Sequence, residues 1–413
     1  MTGISNVEAM SQQWDALVSE YIDTEPTRVA IKSGNAELAT AIKYLQRAKS
    51  KLPLWHASRC YINSTLFEQS SSEVSATAKF EGEGGSVAID LTCGLGVDTH
   101  ALSTLFERVH TVEIDNEKAE IARYNFKRLS AQNITVHNTN SEAFIEELLA
   151  NRETHPIAQR IDLIYIDPSR VKDGKKVYSL EDSSPNIITL LPKLLELTER
   201  VIIKLSPLYD VEECFRVFGN IASVSCSVAV LSTNNECKEV LVRLTRSTQE
   251  PTETSEGESI EHIVIKSGEV QRQITPYSSN TREPNGTLDI HKAEYIYVPD
   301  VAFYKSRCTA GYAAQLTTPE NYTQEGYIFT KSPLERAFLG TTYKLTAQMP
   351  YKPKAIKEHL KSAAIKTATL HIRNFPYTPE KIKKDLKLKE GNATHLFFTE
   401  IDGTPTVLTA QKL

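Results

Sequence analysis

The sequence predicts an α/β fold organised around a mostly parallel sheet, and three observations lead to that prediction. From Gly84 onwards, apolar strands alternate with amphipathic helices, which is the pattern of a parallel sheet covered by helices on both faces. Two strands then follow in immediate succession, at 225–233 and 238–246, and the four residues between them predict an antiparallel hairpin. A glycine-containing loop at 90–99 joins the first strand to its helix. We therefore expect a ligand site at the carboxyl ends of the strands.

The individual elements follow from the period of the apolar residues. The predicted strands of the sheet lie at 87–91, 109–114, 134–138, 161–167, 200–206, 225–233 and 238–246, and the helices between them begin near 97, 116, 141, 186 and 210. The first eighty residues instead indicate helices, because Trp14, Leu17 and Tyr21 recur at helical spacing. The sequence thus predicts an α-helical domain over 1–80 and the sheet domain over 81–247.

The remainder of the chain predicts two small modules after a linker. Residues 248–259 contain no large apolar side chain and mix Pro, Gly, Ser and acids, so they cannot add to a core. Short strands beyond the linker predict a small α+β module over 260–335. A second α+β module is expected over 336–413, where Thr378 and Pro379 give the cap and first position of a helix between strands.

Composition excludes several classes of protein. A chain of 413 residues is far larger than a disulfide-stapled scaffold, and no apolar run approaches the roughly 20 residues of a membrane span. No basic and apolar export signal opens the sequence, so we expect a cytoplasmic protein without a membrane partner. No pair of cysteines has C-x-x-C spacing, which predicts reduced thiols and no metal site. The six cysteines are Cys60, Cys93, Cys214, Cys226, Cys237 and Cys308.

Charge is distributed unevenly along the chain. The formal net charge is -5, yet residues 331–413 contain 15 Lys and Arg against 7 Asp and Glu. Residues 1–330 contain 32 basic and 45 acidic residues. An acidic body therefore carries a basic terminal module, and such a module favours a phosphate-bearing partner.

The loop after the first strand indicates the kind of cofactor. It reads Asp90-Leu-Thr-Cys93-Gly94-Leu-Gly96-Val-Asp-Thr99, with glycines where the backbone must turn and let a ligand approach. A nicotinamide dinucleotide motif requires a third glycine, but Thr99 stands there. Asp90, four residues before the first glycine, would repel a pyrophosphate and pair with a cation. S-adenosylmethionine carries an ammonium and a sulfonium and no phosphate, so it is the predicted cofactor.

The next two strand ends supply groups for a nucleoside. Glu113 lies twenty-three residues after Asp90, where an acid can accept hydrogen bonds from both ribose hydroxyls. Ile114 is placed to cover the adenine face. Asn140, after the third strand, is placed to reach the adenine amino group. Three consecutive strand ends are thus predicted to bind one nucleoside.

In these residues the chain resembles the class I S-adenosylmethionine-dependent methyltransferases. The motifs are D-x-x-C-G-x-G at 90–96, E-I-D at 113–115 and D-P-S-R at 167–170, and the resemblance covers roughly 84–246. It implies a Rossmann-like seven-stranded sheet closed by the terminal antiparallel hairpin. The whole chain is similar to a bacterial group of such proteins, and this resemblance implies that 260–335 is a ferredoxin-like module and 336–413 a THUMP-like domain.

The fourth strand delivers the predicted catalytic residues, Asp167, Pro168, Ser169 and Arg170. The resemblance places the transferred methyl group here, with Asp167 as the proton acceptor. Enzymes that methylate base amino groups have a second proline and an aromatic residue where this chain has Ser169 and Arg170, although an arginine plane can stack on a base. Carbon-5 pyrimidine methylation needs a cysteine nucleophile, and Cys214 is predicted inside a helix. A base nitrogen, or ribose, is therefore the expected acceptor.

The terminal module indicates the substrate. Its lysine series and Arg373 look like the basic surface of a THUMP-like domain, and THUMP domains proper bind structured RNA. The resemblance implies that Arg373, Lys381, Lys384 and Lys387 bind tRNA or rRNA and deliver it to the catalytic domain. Lysines on a helix face also occur simply as a solvated surface.

Two other functions fit the same residues. One is an RNA-binding protein whose methyltransferase fold is inactive, and the other is a small-molecule methyltransferase whose extra modules serve assembly. Upstream of the first strand, the polar segment Gln69–Glu73 fits either a lid over the cofactor or a connector that caps the next helix.

Overall fold

The computed structural model describes residues 7–169, 171–172, 175–176, 180, 182–246, 259–277, 285–316, 320–335 and 337–413. It divides into two compact units. The first comprises Met1–Ala229 with Glu239–Glu253, and the second comprises Val230–Lys238 with Thr254–Leu413. The predicted linker falls mostly outside the described residues, as do positions 170 and 336.

Fifteen α-helices lie in the described part of the chain. They are α1 (Val7–Tyr21), α2 (Pro26–Ser33), α3 (Ala36–Lys51), α4 (Pro53–Ala57), α5 (Ser64–Gln69), α6 (Glu73–Lys79), α7 (Val97–Ser103), α8 (Asn116–Arg128), α9 (Ser141–Ala150), α10 (Ile187–Leu197), α11 (Val211–Phe218), α12 (Val301–Lys305), α13 (Thr309–Gln315), α14 (Pro353–Ser362) and α15 (Pro379–Leu386). Across the described ranges, no helix has the length and apolar character needed to span a membrane.

The strands of the first unit are β1 (Gly85–Asp90), β2 (Phe106–Val112), β3 (Ile134–His137), β4 (Leu163–Ile166), a small pair β5 (Val171–Lys172) and β6 (Lys175–Lys176), β7 (Arg200–Leu205), β8 (Val224–Thr233) and β9 (Glu236–Arg246). The tip of the β8–β9 hairpin belongs to the second unit. Further along the chain are β10 (Ser259–Lys266), β11 (Glu269–Pro276), β12 (Asn285–Gly286), β13 (Tyr295–Pro299), β14 (Asn321–Gln324), β15 (Tyr327–Thr330), β16 (Gly340–Pro350), β17 (Thr369–Ile372), β18 (His395–Ile401) and β19 (Thr404–Lys412).

In the first sheet the strands lie in the order β3-β2-β1-β4-β7-β9-β8-β10-β11 among the described residues. The first five strands pair in parallel, whereas β9 pairs antiparallel with β7. Since β1 lies between β2 and β4, the strand order reverses beside it, and open α/β sheets bind ligands at such a reversal. The predicted α/β fold with a parallel-rich sheet and an antiparallel β8–β9 hairpin is confirmed, but the sheet has nine described strands where seven were expected, because β10 and β11 follow β8 in its order.

The amino-terminal helices share one hydrophobic core with this sheet. Trp14, Leu45 and Trp55 from the helices are buried in the same cluster as Tyr165 of β4 and Ile202 of β7. Burial of such side chains stabilises by about 1.5–3 kcal/mol each. The boundary predicted at residue 80 therefore falls inside one compact unit, and an independent helical domain over 1–80 stays a prediction.

The second unit contains a hairpin and a separate eight-stranded sheet. Strands β10 and β11 pair antiparallel. The larger sheet runs β12-β14-β15-β13-β16-β19-β18-β17, and β13 joins its two parts by pairing antiparallel with β16. The two modules predicted over 260–335 and 336–413 thus contribute strands to one sheet, because the chain inserts the long strand β16 between them.

In the terminal module, α15 begins with the cap and the first-turn proline that the sequence predicts. Thr378 caps the helix by accepting a hydrogen bond from the Lys381 amide, and Pro379 occupies the first turn. Its buried face packs with that of α14 against the strands, through the apolar side chains of Ile356, Leu360, Ile382, Leu386, Leu396 and Phe398. Both helices therefore expose their lysine-bearing faces.

Candidate active site

The loop after β1 is organised by Asp90, which lies fully buried at the strand end. Asp90 Oδ1 accepts from the Thr92 amide at 2.9 Å, and Oδ2 accepts from the Thr99 hydroxyl at 2.5 Å. Thr92 Oγ1 in turn accepts from the Asp167 amide at 2.8 Å. Burial raises the pKa of Asp90 to about 7, against the lowering effect of these hydrogen bonds. Asp90 thus holds the loop to β4, and its direct contact with a cationic ligand stays a prediction.

The two glycines of the loop have different reasons to be glycine. Both adopt positive φ, 55° at Gly94 and 82° at Gly96. A Cβ at Gly96 would clash with the Phe126 ring, so this glycine allows α8 to pack against the loop. A Cβ at Gly94 would meet nothing within 4 Å, so Gly94 leaves one side of the loop open. Cys93 is buried beside Phe126, and burial raises its thiol pKa.

Glu113 follows β2 and is fixed by backbone amides. Its Oε2 accepts from the Gly94 amide and its Oε1 from the Asp115 amide, each at 3.1 Å. Each oxygen retains a further lone pair for hydroxyl donors. The next residue, Ile114, exposes 73% of its surface, an unusual position for a large apolar side chain at a strand end. An acid and an apolar side chain therefore stand beside the open face of Gly94.

The end of β3 contributes asparagines. Asn140 caps α9 by accepting from the Ala143 amide at 2.7 Å, which gives it a structural role in addition to the predicted contact with adenine. Asn138, which the sequence reasoning missed, donates to the Glu113 carbonyl at 2.9 Å. Ser141 Oγ donates to the Leu91 carbonyl at 2.7 Å and so links α9 to the loop after β1.

The predicted catalytic residues follow β4. Asp167 is half-buried, Pro168 is buried and Ser169 is exposed. The Ser169 backbone exchanges two hydrogen bonds with Ser184, at 2.7 and 3.0 Å, which fixes the course of the chain beyond the motif. Arg170 lies outside the described residues, so its predicted role stays a prediction.

A set of buried and half-buried charges at this edge was not predicted from the sequence. Lys79 Nζ lies 3.0 Å from Asp98 Oδ1 and 3.0 Å from Glu239 Oε2. Lys204 Nζ lies 3.8 Å from Glu239 Oε2 and 2.5 Å from Asp167 Oδ2. These five residues, named the charge chain below, run from the interior to Asp167. A lysine inside the apolar strand 200–206 was the one local signal of it.

Neighbouring groups reinforce the charge chain. Burial raises the pKa of Asp98, but Lys79 and Lys204 outweigh burial and hold that pKa below its ordinary value. The Tyr165 hydroxyl donates to Asp98 at 2.8 Å. Burial also lowers the pKa of Lys204, yet Asp167, Asp98 and Glu239 together raise it above its ordinary value. Lys204 is therefore protonated at neutral pH.

The segment Gln69–Glu73 has the structural contacts of a connector. Ser72 caps α6 by accepting from the Ser75 amide at 3.1 Å. Glu73 accepts from the Leu54 amide at 2.7 Å, and Ser71 donates to Asp98 at 3.2 Å. The segment thus ties α4 and the charge chain together, and its role as a lid stays a prediction.

The predicted RNA-binding residues lie in the second unit in two environments. Lys381, Lys384 and Lys387 are exposed on α15 or at its end. Arg373 is half-buried: its guanidinium carbon lies 4.2 Å and 4.6 Å from the ring centroids of Tyr327 and Tyr304. It also donates to a backbone carbonyl at 3.1 Å. Arg373 therefore has a packing role, whether or not it also binds RNA.

All six cysteines are reduced, and Cys214 is fully buried on α11. Within the described ranges, no three His, Cys, Asp or Glu side chains gather in a way that could hold a metal ion.

Known proteins resemble this chain in two ways. Residues 340–412 match the family model of the THUMP domain-like proteins. A solved structure from Porphyromonas gingivalis W83, described as a candidate methyltransferase, superimposes with a TM-score of 0.77, is 25% identical and covers 98% of both chains. The architecture is thus a methyltransferase fold followed by a THUMP-like domain.

Curated relatives match about a third of the chain. A tRNA/tmRNA (uracil-C(5))-methyltransferase of Dechloromonas aromatica is 32% identical over 145 residues, which are 31% of this chain and 39% of that protein. An S-adenosylmethionine-dependent methyltransferase of Mycobacterium tuberculosis, named as uncharacterized, is 28% identical over 133 residues, or 32% and 33% of the two chains. The chain therefore spans well under half the length of these relatives.

Proposed function

We propose that this protein transfers a methyl group from S-adenosylmethionine to structured RNA. The observation that carries the cofactor assignment is Glu113, whose carboxylate is fixed by the Gly94 and Asp115 amides beside an open loop face and the exposed Ile114. Glu113 would bind the ribose hydroxyls, Ile114 would cover the adenine, and Asn140 would reach its amino group.

The electrostatics of the edge support the same cofactor. The charge chain holds three carboxylates against two ammonium groups, which leaves an excess of negative charge next to the loop. Such an edge attracts a cation and disfavours a phosphate. When bound, S-adenosylmethionine supplies an electrophilic methyl group on a cationic sulfur, and Asp167 is placed to orient the acceptor.

RNA as substrate is supported by the THUMP-like domain, by the exposed lysines of α15 and by relatives that are named for tRNA and tmRNA. These features favour tRNA or rRNA, and hence an activity in the cytoplasm. The carbon-5 chemistry of those relatives is not part of the proposal. That chemistry needs a reachable cysteine, whereas Cys214 is fully buried. We therefore propose a base nitrogen or a ribose oxygen as the acceptor.

Calorimetric titration of the full chain with S-adenosylmethionine and S-adenosylhomocysteine tests the cofactor, with NAD as the control ligand. We expect micromolar binding of the first two and none of NAD. Glu113→Gln should weaken binding about tenfold or more, since each lost hydrogen bond to a charged group is worth about 1.5–3 kcal/mol. The exposed Glu117→Gln on α8 is the matched control and should bind normally. Absence of binding by the wild-type protein would overturn the proposal.

A further inference from the structure

Asp167 is held from both sides of its strand. It follows β4, which lies between β1 and β7 in the sheet. On the β7 side, its carboxylate pairs with Lys204 at 2.5 Å. On the β1 side, its backbone amide donates to the Thr92 hydroxyl at 2.8 Å. One side chain from each neighbour therefore fixes the residue that is proposed to orient the acceptor.

The bond to Thr92 stands in place of a backbone bond that a regular sheet would form. The Leu91 amide donates to the Tyr165 carbonyl at 2.9 Å, and in a parallel ladder the Asp167 amide would next donate to the Leu91 carbonyl. That carbonyl instead accepts from the Ser141 hydroxyl at 2.7 Å. The backbone ladder between β1 and β4 therefore ends here, and a side-chain hydroxyl holds the Asp167 backbone.

The Thr92 hydroxyl has a fixed orientation because Asp90 holds it. Asp90 Oδ1 accepts from the Thr92 hydroxyl at 3.3 Å and from the Thr92 amide at 2.9 Å. Since the hydroxyl proton points to Asp90, a lone pair of the hydroxyl oxygen is left for the Asp167 amide. Asp90 itself has no exposed surface, and its other oxygen accepts from the Thr99 hydroxyl at 2.5 Å. Asp90 therefore acts on Asp167 through Thr92.

We propose that Thr92 is a positioning residue for methyl transfer, which fixes the Asp167 backbone relative to the loop after β1. This inference rests on the proposed function. Glu113, which is proposed to bind the ribose, accepts from the amide of Gly94 in the same loop, two residues after Thr92. One loop thus sets the positions of both S-adenosylmethionine and Asp167. Alignment depends on such fixed distances, because a displacement of about 1 Å can lower a rate about 100-fold.

Two variants of Thr92 test this inference by their rates. Total RNA from cells that lack the protein is incubated with the full chain and methyl-labelled S-adenosylmethionine at several concentrations. Thr92→Val removes the hydroxyl and keeps the shape of the side chain, so it should lower the maximal labelling rate about tenfold or more. The KM for S-adenosylmethionine should stay within about threefold, because the Gly94–Glu113 bond does not involve the threonine side chain. Thr92→Ser keeps the hydroxyl and should recover most of the rate.

Thr198→Val is the matched control. Thr198 lies at the opposite edge of the same sheet, where its hydroxyl donates to the Ile161 carbonyl at 3.0 Å and accepts from the Arg200 amide at 3.3 Å. The variant thus loses a similar pair of hydrogen bonds, far from the proposed reaction, and should keep its maximal rate within about twofold. A merely structural role of Thr92 would give the two valine variants equal rates and would overturn the inference.

Hydrogen exchange of the Asp167 amide tests the Thr92 bond without an activity. In mass spectra of overlapping peptides, that amide should exchange about tenfold faster or more in Thr92→Val than in the wild type or in Thr92→Ser. Unchanged exchange would overturn the role of the hydrogen bond.

The failures of this inference and of the proposed function are distinguishable. Labelling of RNA by Thr92→Val at the wild-type rate would overturn the positioning role and leave the proposed function intact. Label in no RNA with the wild-type protein would overturn both.

Discussion

The two units of the molecule place their lysines in opposite environments. In the first unit, Lys79 is buried and Lys204 is half-buried, and both lie within 4 Å of carboxylates. In the second, Lys381, Lys384 and Lys387 face solvent on a small basic domain. Buried charges act over short distances and resist salt, whereas exposed charges are screened beyond about 8–10 Å at physiological salt. The first arrangement suits chemistry at one atom, and the second suits attraction of a large polyanion.

Replacement of an ion-paired lysine of the first unit and of an exposed lysine of the second should differ most in the effect on the free energy of unfolding. Lys79→Met leaves the carboxylates of Asp98 and Glu239 buried without their shared cation, and removal of one partner from a buried ion pair costs about 3–5 kcal/mol. Lys384→Met, at an exposed position, should change the free energy of unfolding by less than about 0.5 kcal/mol. Denaturant unfolding of both variants measures the contrast. A loss below about 1 kcal/mol for Lys79→Met would show that water or rearrangement replaces the lysine.

The pH dependence of stability should also separate buried from exposed charges. The pKa of Asp90 is raised to about 7 in the folded protein, so between its unfolded value and pH 7 the folded state holds one proton more than the unfolded state. Stability conferred through Asp90 therefore falls as pH rises across that window and levels off above it. Asp90→Asn cannot titrate. Its melting temperature should thus gain several degrees relative to the wild type between pH 5 and pH 8.

The difference in melting temperature between Asp90→Asn and the wild type separates the titration of Asp90 from that of the histidines. Burial lowers the pKa of His110 to about 4, so its contribution has the opposite sign and is lost as pH falls below about 6.5. His110 is present in both proteins and cancels in the comparison. A difference in melting temperature that did not change with pH would contradict the raised pKa of Asp90.

Helices, strands and turns that depend on neighbouring residues could be predicted from the sequence. Contacts between residues far apart in the chain could not. The strands of the first sheet were located closely, because period and turn residues mark them. Glu113 was chosen as a candidate because an acid stands at the end of a predicted strand, and its role stays a prediction. Lys79 and Glu239 lie 160 positions apart in the chain, and no local pattern connects them. The charge chain became visible only once the sheet brought α6 and β9 together.

Strand β16 is a local element that the sequence reasoning missed. Apolar Tyr343, Leu345, Ala347 and Met349 stand at every second position of β16, which is the period of a strand, so this local signal was present and was overlooked. Most residues of β16 are half-buried in the folded chain, where the strand pairs with β13 and β19. The division into two separate small modules depended on that missing strand, whereas the capped helix α15 was predicted by its own residues.

The smallest expected effect concerns the exposed lysines, and it appears in binding rather than in stability. Replacement of Lys381, Lys384 and Lys387 together by Gln should weaken RNA binding about three- to tenfold at low salt and leave the melting temperature unchanged. If each lysine contacts one phosphate, the slope of log affinity against log salt should become shallower by about 2 to 3. Electrophoretic mobility shift with labelled tRNA across a salt series measures both quantities.

A variant in which three lysines of α14 are replaced is the matched control for this last prediction. Lys354, Lys357 and Lys361 are equally exposed on α14, so their replacement by Gln removes the same charge from the same domain. A slope that changes only for the α15 triple would place phosphates on that helix. Equal changes would show that the domain attracts RNA through its net charge alone. No change in either variant would mean that these lysines only keep the surface of the domain solvated. The exposed lysines would then serve solubility, whereas those of the charge chain lie at the proposed active site.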